Sequence, residues 1–311
     1  MVERIARICS VCSVTLELSI MRPEFYLEVS SDFNFKTAVY SHGWCDLAPF
    51  RFDIDNWRIN YVFSDPDGRP FDALIESVDA RIRILAERGD IDAEKLLRDT
   101  RHILRLDDDL TPFYRLTDRE KRLRWVCAMS AGRLLRSPSV FEDLVKTICT
   151  TNCSWSLTKI MVGNLVEKLG TPTANGLRAF PTADAMASVD EGFYRNEIKA
   201  GYRAPYFAEL ARKVVNGDVD PETWLVSDLP TTELKKEMKK IKGVGDYAAE
   251  NLLKLVGRYD GLALDSWLRS QFYKKHNRGE VCDDKSIAVF YEKFGRWRGL
   301  AIWCDMTEKW H

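Results

Sequence analysis

The chain has little that would assign it to a specialised class. Only four of its 311 residues are histidine. Neither charge sign is in excess: 46 basic residues face 47 acidic ones, for a formal net charge of −1. That balance excludes a binder that works by global positive charge, although a local basic face needs no such excess. No apolar run approaches the ~20 residues of a membrane-spanning helix. The first segment, Met1 to Leu18, is interrupted by charges and lacks a signal-peptide core. No internal repeat or low-complexity tract is present. The eight cysteines are scattered, and nothing else points to secretion, so free thiols are expected. Cys9-x-x-Cys12 has metal-ligand spacing, but no second pair follows and no histidine stands beside it. A cytoplasmic or nucleoid-associated protein is expected.

What is present describes a globular chain. Hydrophobic residues make up 45% and charged residues 30%, enough for a large core in two or three subdomains. Phe25 to Val29, Asn34 to Tyr40, Phe50 to Ile54 and Trp57 to Phe63 alternate apolar and polar residues, the periodicity of strands. Ser64-Asp65-Pro66-Asp67-Gly68 reads as a turn. Phe71 to Leu85 and Glu94 to Leu104 read as amphipathic helices. From Asp118 onward the period is helical, with Pro138, Pro172, Pro181, Pro205, Pro221 and Pro230 marking helix starts or breaks. The fold class is α+β, with a β-rich part over 1–115 and a helical part over 116–311.

One stretch carries most of the functional information. A helix-forming run, Glu233 to Lys240, enters Lys242-Gly243-Val244-Gly245-Asp246, and a second helix leaves from Tyr247 to Leu255. Glycines on both sides of Val244 allow a turn that a Cβ would obstruct. They leave bare amides at the start of the second helix, where the dipole favours an anion. Five lysines and one glutamate occupy the eight residues Lys235 to Lys242. Such a hairpin, over about 233–256, grips a nucleic-acid phosphate without reading sequence. Gly257 to Gly261 form a loop, and Asp265 follows Tyr247 by eighteen residues.

Lys242-Gly243-Val244-Gly245 followed by Leu262-Ala263-Leu264-Asp265 resembles the hairpin, loop and aspartate of the helix-hairpin-helix DNA glycosylase superfamily. Lys242 stands where that family usually has proline, and the loop 257–261 has two glycines but no proline. Ser41 to Phe50, Leu106 to Tyr114 and Leu134 to Asn152 are similar to segments of its 3-methyladenine and 8-oxoguanine branch. The resemblance implies an antiparallel sheet domain first, then a helical body in two halves with the active cleft between them. It implies a partner, double-stranded DNA containing a damaged base, bound by a monomer. Some members carry a four-cysteine iron–sulfur cluster after the catalytic region. Only Cys282 and Cys304 lie there, so no cluster and no other cofactor is expected.

The resemblance also implies roles for single residues. Asp265 would stabilise positive charge developing on the deoxyribose and orient water, although an aspartate before Ser266 also reads as a helix cap. Tyr247 stands where bifunctional members place a Schiff-base lysine; a phenol forms no imine, which implies a monofunctional enzyme using water. Lys242 and Lys254 read as poor substitutes, aimed elsewhere by helical spacing. Asn152 would enter the gap left by the extruded base, and Tyr202 of Gly201-Tyr202-Arg203 would wedge the duplex, with Arg203 as a contact. Either aromatic or amide also reads as an ordinary loop or cap residue. Lys239, Lys240, Lys242 and the amides of Gly243, Val244, Gly245 and Asp246 would hold phosphate, and the carbonyls of Lys239, Ile241 and Val244 would hold a monovalent or alkaline-earth ion. Ile302 and Met306 occupy the places of the 8-oxoguanine clamp, so that clamp is absent. Trp155, Trp267, Trp297, Trp303 and Tyr247 offer aromatic surface instead, which suits a cationic alkylated purine such as 3-methyladenine or 7-methylguanine. An oxidised or deaminated base is the alternative. A different class is a non-catalytic hairpin module, which has no use for Asp265.

Overall fold

The computed structural model describes residues 22–311. Met1 to Leu18 and the Cys9-x-x-Cys12 pair lie outside the described residues. Five strands, β1 (Glu24–Glu28), β2 (Arg51–Asp53), β3 (Arg58–Ser64), β4 (Pro70–Val78) and β5 (Arg81–Ala86), form one antiparallel sheet in the order β1-β5-β4-β3-β2. The remainder is helical: α1 (Phe35–Val39), α2 (Ala93–Leu104), α3 (Thr111–Asp118), α4 (Arg124–Ala128), α5 (Val140–Thr150), α6 (Trp155–Leu169), α7 (Ala183–Ala187), α8 (Glu191–Asn196), α9 (Ala204–Val215), α10 (Thr231–Lys239), α11 (Asp246–Leu255), α12 (Ser266–His276), α13 (Asp284–Tyr291) and α14 (Arg298–Thr307).

Two expected elements are corrected. Residues 34–40 are not a strand. Asn34 accepts from the amides of Lys36 and Thr37, at 3.0 and 3.4 Å, and so caps the short helix α1. Residues 71–85 are not a helix but the hairpin β4–β5. Phe71, Ala73 and Ile75 alternate into the core on one strand, and Ile82, Ile84 and Ala86 on the other. Asp79 and Ala80 both take positive φ, 49° and 58°, and make the two-residue turn between paired Val78 and Arg81. The division at residue 115 falls inside α3.

The sheet and the body share one hydrophobic core. Buried polar contacts fix their relation. Tyr61 Oη donates to Glu142 at 2.6 Å, and Trp44 Nε1 donates to Asp143 at 2.7 Å. Burial pushes the Asp143 carboxyl up to about 6. From the last helix, Trp303 Nε1 reaches back to the Ser41 carbonyl at 2.9 Å.

The C-terminal end of α11 is held by two buried arginines. Arg105 Nη1 donates to the carbonyls of Lys254 and Leu255 at 3.2 and 3.0 Å, and Arg136 Nη1 donates to Leu255 at 3.2 Å. Cations there satisfy orphan carbonyls and complement the helix dipole. Charge-assisted bonds of this kind contribute about 1.5–3 kcal/mol each. They anchor the helix whose other end is the Gly-Val-Gly turn.

Candidate active site

The turn is built around a close approach. Gly243 has φ 92°, and a Cβ there would lie 2.5 Å from the Tyr206 ring. Both conditions require glycine. The amide of Val244 closes the turn on the Ile241 carbonyl at 3.0 Å. Glu250 then ties the hairpin to the following loop: it accepts from Lys235 Nζ at 2.6 Å and from the Ala263 amide at 2.5 Å. The loop is pressed between two helices. A Cβ on Gly261 would meet Glu250 at 2.7 Å, and one on Gly299 of α14 would meet the Gly261 carbonyl at 1.9 Å.

The loop ends at Asp265, whose side chain caps α12 by accepting from the Leu268 amide at 2.7 Å. The capping and pocket roles therefore coexist. Asp265 lines two cavities. One, the hairpin cleft, has a volume of ≈ 840 Å³ and borders Asn152, Tyr202, Lys239, Lys242, the turn Gly243 to Asp246, and Tyr247. The other, the aromatic pocket, has a volume of ≈ 530 Å³ and borders Tyr247, Trp155, Trp267, Trp303, Trp310 and Lys254. Tyr247 and Asp265 belong to both. Burial, and then the Asp265 charge, push the Tyr247 phenol up to about 12, so it stays protonated and can donate.

Most expected site residues meet here. Asn152 is exposed at the cleft with φ 45°. Tyr202 is 48% exposed beside it, its hydroxyl 3.4 Å from the Thr151 carbonyl. Trp155 and Trp267 are each 36% exposed at the pocket mouth. Trp267, Trp303 and Trp310 pack together with ring centroids 5.6–6.1 Å apart.

Several expectations are corrected. Arg203 is not a surface contact: it is buried, and its guanidinium holds Thr151 through the carbonyl and, at 3.2 Å, the hydroxyl. It shapes the loop that presents Asn152. Lys240 does not border the cleft; it pairs with Glu237 at 2.5 Å on the outer face of α10. Lys239 and Lys242 do border it, paired with Asp246 at 3.0 Å and Glu209 at 3.6 Å. Trp297 packs between Phe113 and Tyr259, away from the pocket. Ile302 and Met306 are core residues, and Trp303 is the α14 side chain in the pocket.

The largest correction concerns Lys254. Its side chain is 2% exposed and lines the pocket, with Nζ donating to the Leu262 carbonyl at 3.1 Å. Seven residues after Tyr247 is two helical turns, so both lie on one face, with Asn251 between them. Burial pushes the ammonium down to about 8 against the attraction of Glu250 and Asp265. His42 was also missed. Its ring nitrogens are enclosed with no partner among the described residues, and its ring packs edge-on against Trp44 with centroids 4.7 Å apart. Burial, then the charges of Lys254 and Arg105, push it down to about 3, so it is neutral.

No protein-family model matches the chain. A probable N-glycosylase/DNA lyase of Methanothermobacter thermautotrophicus is 23% identical over 277 residues, 77% of this chain and 87% of that protein. A 3-methyladenine DNA glycosylase structure from Archaeoglobus fulgidus superposes with TM-score 0.73 at 20% identity, over 92% of this chain and 98% of that one. The Clostridium acetobutylicum 8-oxoguanine glycosylase/lyase, solved with double-stranded DNA containing cytosine opposite 8-oxoguanine, superposes with TM-score 0.69 at 22% identity, over 89% and 92%.

Proposed function

We propose that this chain, a member of the helix-hairpin-helix DNA glycosylase superfamily, is a monofunctional DNA glycosylase that turns a damaged base out of duplex DNA and hydrolyses its N-glycosidic bond. The observation that carries the reading is the wall shared by the two cavities. A phosphate held at the Gly243 to Asp246 turn and a base held among the tryptophans put the sugar between them, beside Asp265 and Tyr247. As the C1′–N bond breaks, its electron pair leaves with the base and positive charge develops on the sugar. The Asp265 carboxylate stabilises that charge and orients the water whose oxygen bonds C1′. For a neutral base the proton lost by that water matches the one the departing base gains; a cationic alkylated base leaves neutral and the water's proton passes to solvent. The product is a free base and an intact strand with an abasic site.

Water is the proposed nucleophile because Tyr247 offers a phenol where an amine would be needed. Lys254 does have an amine, but it lies two turns, roughly 10 Å, further along α11. It borders only the aromatic pocket and not the hairpin cleft, so it meets the base rather than the sugar. A pure binding module is disfavoured by Asp265 facing a concave pocket, with no ion pair among the described residues. The partner in this reading is double-stranded DNA, bound by a monomer. Lys239, Ile241 and Val244 border the cleft, and the Ile241 carbonyl accepts the Val244 amide. Their carbonyls would hold a monovalent or alkaline-earth ion, which would add positive charge for the phosphate.

Two readings of the base have support. The tryptophan walls suit an alkylated purine, such as 3-methyladenine or 7-methylguanine, through cation–π attraction. The Lys254 ammonium opposes a cationic base and favours a neutral oxidised or deaminated one. Duplexes each bearing one lesion, scored with and without hot alkali, test the activity. Base release with strand breaks only after alkali is expected; no release from any duplex would refute it.

A further inference from the structure

We infer that Lys254 and His42 form the base-reading end of the aromatic pocket and select a neutral base with a lactam edge, a ring C=O beside a ring N–H. The inference rests on the glycosylase reading and extends it to two residues with no assigned role.

Lys254 presents three donors and uses one, on the Leu262 carbonyl at 3.1 Å. His42 uses neither ring nitrogen, yet both are enclosed. Leaving such groups unpaired costs about 1–3 kcal/mol each, so their persistence in a dry wall needs a reason. They sit in the same cavity, close enough that the lysine charge contributes to keeping the histidine neutral. A neutral imidazole offers one donor and one acceptor. The complement of this pair is therefore a carbonyl oxygen for the ammonium and an N–H for the free imidazole nitrogen. A lactam edge supplies both. 3-Methyladenine, cationic in DNA, has no ring carbonyl beside a ring N–H and is repelled by the ammonium; 7-methylguanine keeps a lactam edge and is opposed by its charge alone. The tryptophans stack on either base and favour a cationic one by cation–π attraction, so a preference for the neutral base has to come from Lys254 and His42.

The position of the pair supports this assignment. The Leu262 carbonyl that holds the amine belongs to the loop carrying Asp265. Docking a carbonyl oxygen on Lys254 thus loads the same loop that positions the carboxylate.

The test compares excision of 8-oxoguanine and hypoxanthine, which have lactam edges, with 3-methyladenine, which is cationic in DNA and has none. Wild type, Lys254→Met, Lys254→Gln and His42→Phe are assayed under single turnover, with affinity for a duplex bearing a tetrahydrofuran abasic analogue as the check of folding. In the wild type, at least one lactam base should be released faster than 3-methyladenine. In Lys254→Met the ratio of lactam to cationic excision should fall about 10- to 100-fold, the effect of one charge-assisted bond. Lys254→Gln should retain more of the ratio, and His42→Phe should lower it as well. A wild type that releases only the cationic base, or an equal loss on all bases in Lys254→Met, would overturn the assignment while leaving the glycosylase reading intact. No release of any base by the wild type would overturn both.

Discussion

At the scale of single residues, Asp265 and Lys254 are separable by opposite signatures. Asp265→Asn removes the charge beside the sugar but keeps an oxygen to cap α12. Base release should fall by at least about 100-fold, since one charge-stabilising group is worth several kcal/mol in a dry site. Binding of lesion-bearing duplex should persist, as a gel-shift titration would show. Near-wild-type release would remove Asp265 from the chemistry. Lys254 should behave as a residue kept at a cost to stability. Its ammonium is shifted from 10.5 to about 8, a penalty of about 3 kcal/mol for holding the charge while folded. At pH 7 the folded and unfolded chains are both protonated, so the penalty is present in full. Between about 8 and 10.5 the folded chain releases the proton that the unfolded chain keeps, and the penalty fades as pH rises. Lys254→Met should therefore raise Tm at pH 7, and the gap to wild type should close toward pH 10. A lower Tm at pH 7 would mark Lys254 as structural support for the loop.

At the scale of elements, the hairpin and the Asn152 loop should contribute in different ways. Lys239→Gln with Lys242→Gln should weaken DNA binding for every sequence and lesion. The slope of log K against log salt should shrink by about one to two units. Lys240→Gln, on the outer face, should leave the slope unchanged; a fall equal to that of the other pair would place the phosphate elsewhere. Asn152→Ala and Tyr202→Ala should each impair excision from duplex more than from single strands, because a single strand has no orphan partner to hold apart. Equal loss on both substrates would point to folding or chemistry instead. The hairpin was legible because Gly-Val-Gly and the lysine run are local signals. Elements whose signal is not local were misread. The β4–β5 turn is Asp79-Ala80, without the glycine that usually marks such a turn, so two strands read as one helix. Asn34 reads as a strand residue until its capping bonds are seen. Arg203 and Lys240 carry charge that suggests DNA, but only packing shows one gripping Thr151 and the other facing outward. Lys254 was available from spacing alone, since seven residues return a helix to the same face. His42 lies in the Ser41 to Phe50 stretch, where nothing local marks it as a pocket residue, and only the fold brings it 212 positions across the chain to Lys254.

At the scale of the molecule, the sheet, the linking arginines and the last helix converge on one junction. Arg105 and Arg136 fix the far end of α11, Gly299 admits the Asp265 loop against α14, and Trp303 returns to Ser41 beside His42. The cavities for phosphate and base then meet at Thr150, Cys153, Tyr247 and Asp265. Gly299→Ala should displace the loop and lower excision without changing the salt slope of binding; a changed slope would show that the hairpin moved as well. The central claim, water-driven base release at that junction, is tested most directly by single-turnover reaction of the wild type with lesion duplexes in the presence and absence of borohydride. The prediction is free base, an abasic strand that breaks only in hot alkali, and no trapped adduct. Strand cleavage without alkali, together with a borohydride-trapped protein–DNA adduct that disappears in Lys254→Met, would contradict it and make that lysine the nucleophile.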